Sequence, residues 1–371
     1  AVGANTLQSQ NFTTSTNSHN TAIGYFAGQQ VTTGTQNTFI GSQAGDAFTD
    51  SDKNTAVGFN ALTTDTLGNK STAIGDNALA SQNFTTATDV FNTALGFEAG
   101  ARVTTGTVNT LVGALAGDHL TSGNSNVAIG YQALTADTLG DRNIAIGNGA
   151  LATQNFTTTT DAYNIAIGQE AGLAVTTGLV NTLVGGLAGD AITTGNDNTA
   201  FGYNSLTGNT ASNRNTAIGS QALATFNVTT DTHTYNTAVG YAAGNAVTTG
   251  LNNTLIGGQA GDAITASNDN VAVGVGAMTT NTLSSENVAI GRSALQELNH
   301  TTATNGFNVA VGSDAGKAVT TGVENTLIGG LAGDALTDAD FNTAVGQGAL
   351  STDTLGSKST AIGQNALSAQ N

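Results

Sequence analysis

A chain of 371 residues with 49 Gly, no Pro, no Cys and only 9 % charged residues departs strongly from an ordinary globular composition. Its net charge of −17 includes only eight Lys and Arg, too few for the cationic face that a nucleic acid partner requires. The lack of Cys excludes disulfides and thiol chemistry, and the lack of any long, uninterrupted apolar run predicts no membrane span in this segment.

A five-residue motif, first complete as "NTAIG" at residues 20–24, returns along the whole chain. Its glycines are separated by 21, 17, 17 and 17 residues, and this cycle repeats to residue 363. Strict spacing argues against a disordered low-complexity chain, and Gly is not every third residue, as collagen requires. The motif predicts one continuous array over residues 1–371, which we expect to be a segment of a longer chain. Its 72-residue modules are 4–75, 76–147, 148–219, 220–291 and 292–363, with a partial end at 364–371.

The alternation within the motif is typical of a short β-strand. The second position is always β-branched, as at Thr21, and the fourth is always apolar, as at Ile23. A short strand that returns at these two strict intervals predicts an all-β parallel β-solenoid of about 21 coils, where one coil runs from one motif to the next.

Stacked coils place identical residues above one another, so the motif Asn is predicted to form a hydrogen-bonded ladder, in which Asp would repel its neighbours. The motif Gly is predicted to take a positive φ or to allow close backbone approach. These ladder residues include Asn20, Asn37, Asn54, Asn92, Asn109, Gly24, Gly41, Gly58 and Gly75.

Each coil offers few large apolar side chains to a core. In the coil at residues 20–36 we expect Ile23, Phe26 and Val31 to be buried, which leaves a single solenoid marginal against its chain entropy. The opposite strand face, of Ala and Gly, is then expected to pack closely against another copy. The sequence predicts a homo-oligomer.

The motif resembles the head repeats of trimeric autotransporter adhesins and related repeats in bacteriophage tail fibres. The stretches that carry the resemblance are "STAIGDNAL" at 71–79 and "NVAIGYQAL" at 126–134, and similar copies cover the whole chain. The resemblance implies a trimeric parallel β-roll, although the coils of this chain are longer than those of the family. It also implies an extracellular place on a cell or virion surface.

The expected function is a fibrous, adhesin-like rod that gives multivalent attachment to a host-cell or matrix surface and acts as a spacer. The alternatives are a purely structural, self-assembling filament or sheath component with lateral filament contacts, and a phage tail fibre shaft. An enzyme is not expected, because the four His lie at unrelated phases and no acid, base or nucleophile cluster interrupts the repeat. No cofactor or metal is predicted.

The longer coil of each module carries four extra residues, which must bulge as a loop, as in "SQNFTTATDVFN" at 81–92. Two positions, mostly aromatic, bracket each loop. They either close the base of the loop against the solenoid or form a contact repeated every four coils. The candidate contact residues are Phe12, Phe84, Phe91, Phe156, Tyr163, Tyr235 and Phe307.

Each of these loops also contains N-x-T, the acceptor pattern for N-glycosylation, although a turn role for Asn and Thr explains the pattern as well. The candidate glycosylation residues are Asn11, Asn83, Asn155, Asn227 and Asn299.

Two further repeated features have simple structural interpretations. The Asp that follows "AG", as at Asp46, is alone in its coil, so a turn cap is favoured over calcium, which needs six to eight oxygens. The "VTTG" turn at 31–34 suggests an ice-binding Thr array, but it recurs only once in four coils.

Overall fold

The computed structural model describes residues 1–369 and confirms an all-β parallel β-solenoid, whose turns follow the spacing of the sequence motif. Within those residues there is no helix, and so none that is long and apolar enough to cross a membrane. The chain divides into two compact units, Ala1–Asn181 and Thr182–Asn371.

In the first unit, one three-residue strand per coil covers the second to fourth motif positions; we call these the motif strands. They are Thr21–Ile23, Thr38–Ile40, Thr55–Val57, Thr72–Ile74, Thr93–Leu95, Thr110–Val112, Val127–Ile129, Ile144–Ile146 and Ile165–Ile167. Two-residue strands pair beside two of the long loops, Gly68–Asn69 with Thr88–Asp89 and Gly140–Asp141 with Thr160–Asp161.

The second unit repeats this arrangement. Its motif strands are Thr182–Val184, Thr199–Phe201, Thr216–Ile218, Thr237–Val239, Thr254–Ile256, Val271–Val273, Val288–Ile290, Val309–Val311, Thr326–Ile328, Thr343–Val345 and Thr360–Ile362. Ser284–Ser285 pairs with Thr304–Asn305, and a single bridge joins Asn213 to His233.

The register keeps each motif position above its own copy. Thr21, Ala22 and Ile23 pair in parallel with Thr38, Phe39 and Ile40, and the strand that follows a longer coil stays in the same register. The four extra residues therefore leave the sheet undisturbed, because they are accommodated wholly in the loop.

The core lies inside the coil and is built largely from the third motif position. Ala22 and Phe39 are almost fully buried, as are Val31 of the "VTTG" turn and Leu62. Where the third position is large, its neighbours are small: a Cβ on Gly28 would lie 2.7 Å from the Phe39 ring, and one on Gly45 would lie 2.4 Å from it. Phe39 thus occupies the space that Leu62 fills in another coil.

Candidate contact surfaces

The orientation of the motif strands reverses one expectation from the sequence. Ile23 is 44 % exposed and Phe26 is only partly buried, whereas the Ala of each motif strand faces the interior. The Ala face is therefore not available to pack against another copy. The prediction that it does so was wrong, because the interior has room for one large side chain beside Gly28 and Gly45 and not for every fourth-position residue.

The second and fourth motif positions instead form an exposed surface, which we call the outer strand face. It carries Thr, Val, Ile, Leu or Phe on every coil and no charged residue. Its exposed fourth-position residues include Ile23, Ile40, Ile74, Leu95, Phe201, Ile218 and Ile256. This surface was not predicted from the sequence. The sequence feature that marks it is the absence of charged residues from the second and fourth motif positions, which the structure exposes.

The motif Asn side chains form a ladder inside each unit. The Asn126 N–H donates to Asn109 Oδ1 (2.9 Å), and Asn143 N–H donates to Asn126 Oδ1 (2.9 Å). Asn126 Nδ2 donates to the Gly140 carbonyl in the next coil (2.9 Å). Asn126 and Asn143 are fully buried, so each amide satisfies backbone groups that water does not reach.

The motif glycines combine a positive φ with close approach between coils. At Gly58 φ is +135°, and a Cβ would lie 2.3 Å from the carbonyl oxygen of Gly75. Such a separation lies well inside van der Waals contact, so no other residue fits without displacing the next coil.

The two bracketing positions of each long loop have different environments. Phe84 and Phe156 are 9 % and 6 % exposed and pack at the loop base, while Phe12 is partly buried. This corrects the inclusion of Phe84 and Phe156 among the contact residues, because buried rings cannot reach a partner. At the second position the rings are about half exposed; they belong to Phe91, Tyr163, Tyr235 and Phe307.

The exposed loop rings are contacted by a charged residue of the preceding coil. Lys70 Nζ lies 5.1 Å from the centre of the Phe91 ring and forms an ion pair with Asp89. Arg142 lies 5.6 Å from the Tyr163 ring and is paired with Asp161. Lys70 and Arg142 therefore contact the loop aromatics by cation–π interactions.

The same pattern continues in the second unit with one exception. The Arg214 Nη1 group donates to the Tyr235 hydroxyl (2.8 Å), and its guanidinium lies 5.8 Å from the ring. At Phe307 the corresponding residue is Glu286, which accepts a hydrogen bond from Asn305 (2.8 Å). The loop ring is thus exposed with or without the cation.

A buried polar cluster lies between the last coil of one module and the first, longer coil of the next. Asp137 Oδ2 accepts from Gln154 Nε2 (2.7 Å), its Oδ1 accepts from the Gly140 N–H (3.1 Å), and Gln154 Oε1 accepts from Asn164 Nδ2 (2.9 Å). Burial raises the pKa of Asp137, and these hydrogen bonds offset part of the rise. Asp65 and Gln82 repeat the arrangement.

One cluster of the second unit is built from different residues, although Asp353 and Gly356 keep the Asp–Gly pair elsewhere in that unit. Asn281 replaces Asp, Ser284 replaces Gly, and Leu298 replaces Gln. Asn281 Oδ1 accepts from the Ser284 N–H (2.9 Å), and Ser284 Oγ accepts from Asn287 Nδ2 (2.9 Å). A Cβ on Gly140 would lie 2.1 Å from Asp137 Oδ2, so a Ser at this position requires the Asp137 side chain to move. Beside Ser284, Asn281 instead directs its Nδ2 to the Ser284 carbonyl (2.9 Å).

The Asp after "AG" forms a bond between coils. Asp46 Oδ1 accepts from Thr63 Oγ1 (2.6 Å), and Asp262 Oδ1 accepts from Thr279 Oγ1 (2.6 Å). Burial raises the pKa of Asp46. In the described part of the chain, no three His, Cys, Asp or Glu residues come together as a metal site would require.

Neither a protein-family model nor a curated protein matches this chain.

Proposed function

We propose that this chain is a fibrous, extracellular, adhesin-like spacer that assembles with copies of itself, as a trimer, and presents its long loops for multivalent attachment to a host-cell or matrix surface. The observation that carries the proposal is the exposed, cation-backed aromatic that recurs at one loop position, in Phe91, Tyr163 and Tyr235. Weak contacts repeated on one scaffold give strong avidity.

Self-association is supported by the outer strand face. Ile40 and Leu95 are 37 % and 46 % exposed on motif strands whose uncharged surface recurs on every coil. A large exposed apolar surface of this kind is typical of protein–protein interfaces. A second and a third copy of the same chain supply the complementary apolar face.

We expect Ile40→Lys together with Leu95→Lys to dissociate the oligomer without unfolding the chain. Burying two unpaired ammonium groups in an apolar interface weakens association by about 100-fold or more. Sedimentation equilibrium measures the mass, and circular dichroism reports the fold.

The matched control is Gln36→Lys with Ser125→Lys. These two residues are exposed and occupy the position directly before the first motif residue, which already carries Lys53 and Lys70, so the control adds the same charge at neither the second nor the fourth motif position. The control should remain oligomeric. A folded wild-type monomer, or equal dissociation in both variants, would contradict self-association through this face.

Attachment is tested by replacing the four exposed loop rings, Phe91, Tyr163, Tyr235 and Phe307, with Ala. Because avidity multiplies the contacts, binding to cultured cells and to immobilised matrix protein should fall by about 100-fold. Equilibrium binding of fluorescently labelled oligomer gives the measurement.

The control replaces four other exposed rings, Phe59, Phe97, Tyr131 and Tyr203, which directly follow motif glycines and are 48–56 % exposed. It should attach normally. If instead the loop variant attaches normally but no longer bundles in electron micrographs, the structural filament function replaces attachment.

A further inference from the structure

Four of the five N-x-T sequences of the long loops share a hydrogen-bond arrangement that the other N-x-S/T sequences of the chain lack. Seven such sequences occur, of which five lie in the loops; the other two begin at Asn69 and Asn252. This difference distinguishes an acceptor site for a modification from a chance match in a chain rich in Asn and Thr.

In three of the loops, at Phe84, Phe156 and His300, the middle residue is buried and its neighbours face solvent, whereas Asn227 and Val228 are both partly buried. Phe84 is 9 % exposed, whereas Asn83 and Thr85 are both exposed. The same holds where His300, 6 % exposed, lies between Asn299 and Thr301. An inward middle residue anchors the tripeptide and presents its Asn amide and Thr hydroxyl together.

The amide of the loop Asn is oriented by the preceding coil. Thr138 Oγ1 donates to Asn155 Oδ1 (3.0 Å), Thr210 Oγ1 donates to Asn227 Oδ1 (2.9 Å), and Thr282 Oγ1 donates to Asn299 Oδ1 (2.7 Å). Asn83 has the same bond at 3.3 Å. Within residues 1–369 nothing hydrogen-bonds to Nδ2 of these four residues, so the nitrogen is the free end of each amide.

The other two sequences lack this arrangement. Ser71, which follows Asn69 by two residues, is fully buried, and its Oγ accepts from Gln82 Nε2 (3.1 Å). Asn252 Nδ2 donates to Asp269 Oδ1 (3.0 Å). In the first sequence the Ser71 hydroxyl is therefore buried, and in the second the Asn252 Nδ2 group already donates a hydrogen bond.

We propose that Asn83, Asn155, Asn227 and Asn299 are acceptors for an N-linked sugar, and that Asn69 and Asn252 are not. The donor is a sugar activated through a diphosphate at its anomeric carbon. Asn Nδ2 forms the bond to that carbon, the bond from the carbon to the phosphate oxygen breaks, and the diphosphate leaves with the electron pair. A base of the transferase takes the amide proton. The proposal does not depend on the attachment function.

The test is site-resolved mass spectrometry of the full chain isolated from the cells that produce it. The expected result is sugar on the four loop Asn residues and none on Asn69 or Asn252. A single sugar at each site indicates a nucleotide-activated donor, and an oligosaccharide of fixed composition indicates a lipid-linked donor. An unmodified chain overturns the proposal, as does equal modification of Asn69 and Asn83.

A matched pair of variants separates modification from folding. Thr85→Ala should abolish the sugar on Asn83 alone, while Thr86→Ala, at an exposed neighbour outside the tripeptide, should leave it unchanged. Occupancy at Asn155 is the internal standard in both variants. Sugar retained on Asn83 in Thr85→Ala would also overturn the proposal.

Discussion

Gly257→Ala should destabilise the second unit by about 3 kcal/mol or more, through backbone strain and overpacking together. At Gly257 φ is +137°, and a Cβ would lie 2.5 Å from the carbonyl oxygen of Gly274 in the next coil. The new methyl group forces two stacked motif strands apart, and the loss is measured as a lower midpoint of chemical unfolding.

The adjacent residue provides the control. A Cβ on Gly258 meets nothing within 4 Å, and its φ lies outside the left-handed region. Gly258→Ala should therefore change stability by less than about 1 kcal/mol and in the stabilising direction, because it restricts the unfolded chain. Equal effects of the two substitutions would show that close stacking at the motif Gly does not determine stability.

Gln154→Leu should cost about 3 kcal/mol in the first unit, because it removes a donor from a buried carboxylate. Asp137 Oδ2 loses its bond from Gln154 Nε2, and Asn164 Nδ2 loses one of its two acceptors. Chemical unfolding at neutral pH measures the loss.

The compensated variant adds Asp137→Asn and Gly140→Ser, which reproduces the set Asn281, Ser284 and Leu298. It should recover most of the lost stability, since one cluster of the second unit is satisfied in this way. A triple variant as unstable as Gln154→Leu would show that the three positions are not coupled.

The compensated variant should also change the pH dependence of stability. Burial raises the pKa of Asp137 above its ordinary value of 3.8. The folded state therefore binds the proton more tightly, and stability from this group is complete below that value and is lost as pH rises through the raised pKa. The stability of the wild type relative to the triple variant should thus increase on acidification through this window. No such change would contradict the raised pKa.

Much of the fold follows from the sequence because repetition restricts it. The two strict intervals between motif glycines require in-register stacking, and the β-branched second position with Gly at the fifth favours a short strand that ends at each motif. Residues such as Asn126 and Gly58 could be assigned to ladders before any contact was known, since a stacked position has its own copy as neighbour. The four-residue excess likewise predicts a loop once per module.

Only the tertiary structure decided which strand face is inside. Alternation defines two faces, and side-chain hydrophobicity favours Ile23 over Ala22 for the core, yet Ala22 is buried and Ile23 is exposed. The reason is that the interior is filled from other positions: Phe39 lies against Gly28 and Gly45, and it leaves no space for a large side chain on every motif strand. The interior volume depends on how the whole coil closes, and a local sequence pattern does not determine it.

The tertiary structure also decides which of the two rings that bracket a long loop is buried. Phe84 and Phe91 are chemically identical and bracket one loop, but only Phe84 reaches the interior. Phe91 has a φ of 57°, and its ring lies 5.1 Å from Lys70 Nζ of the preceding coil. The sequence determined that rings recur at these two positions, and the path of the backbone between coils determined which ring is left in solvent.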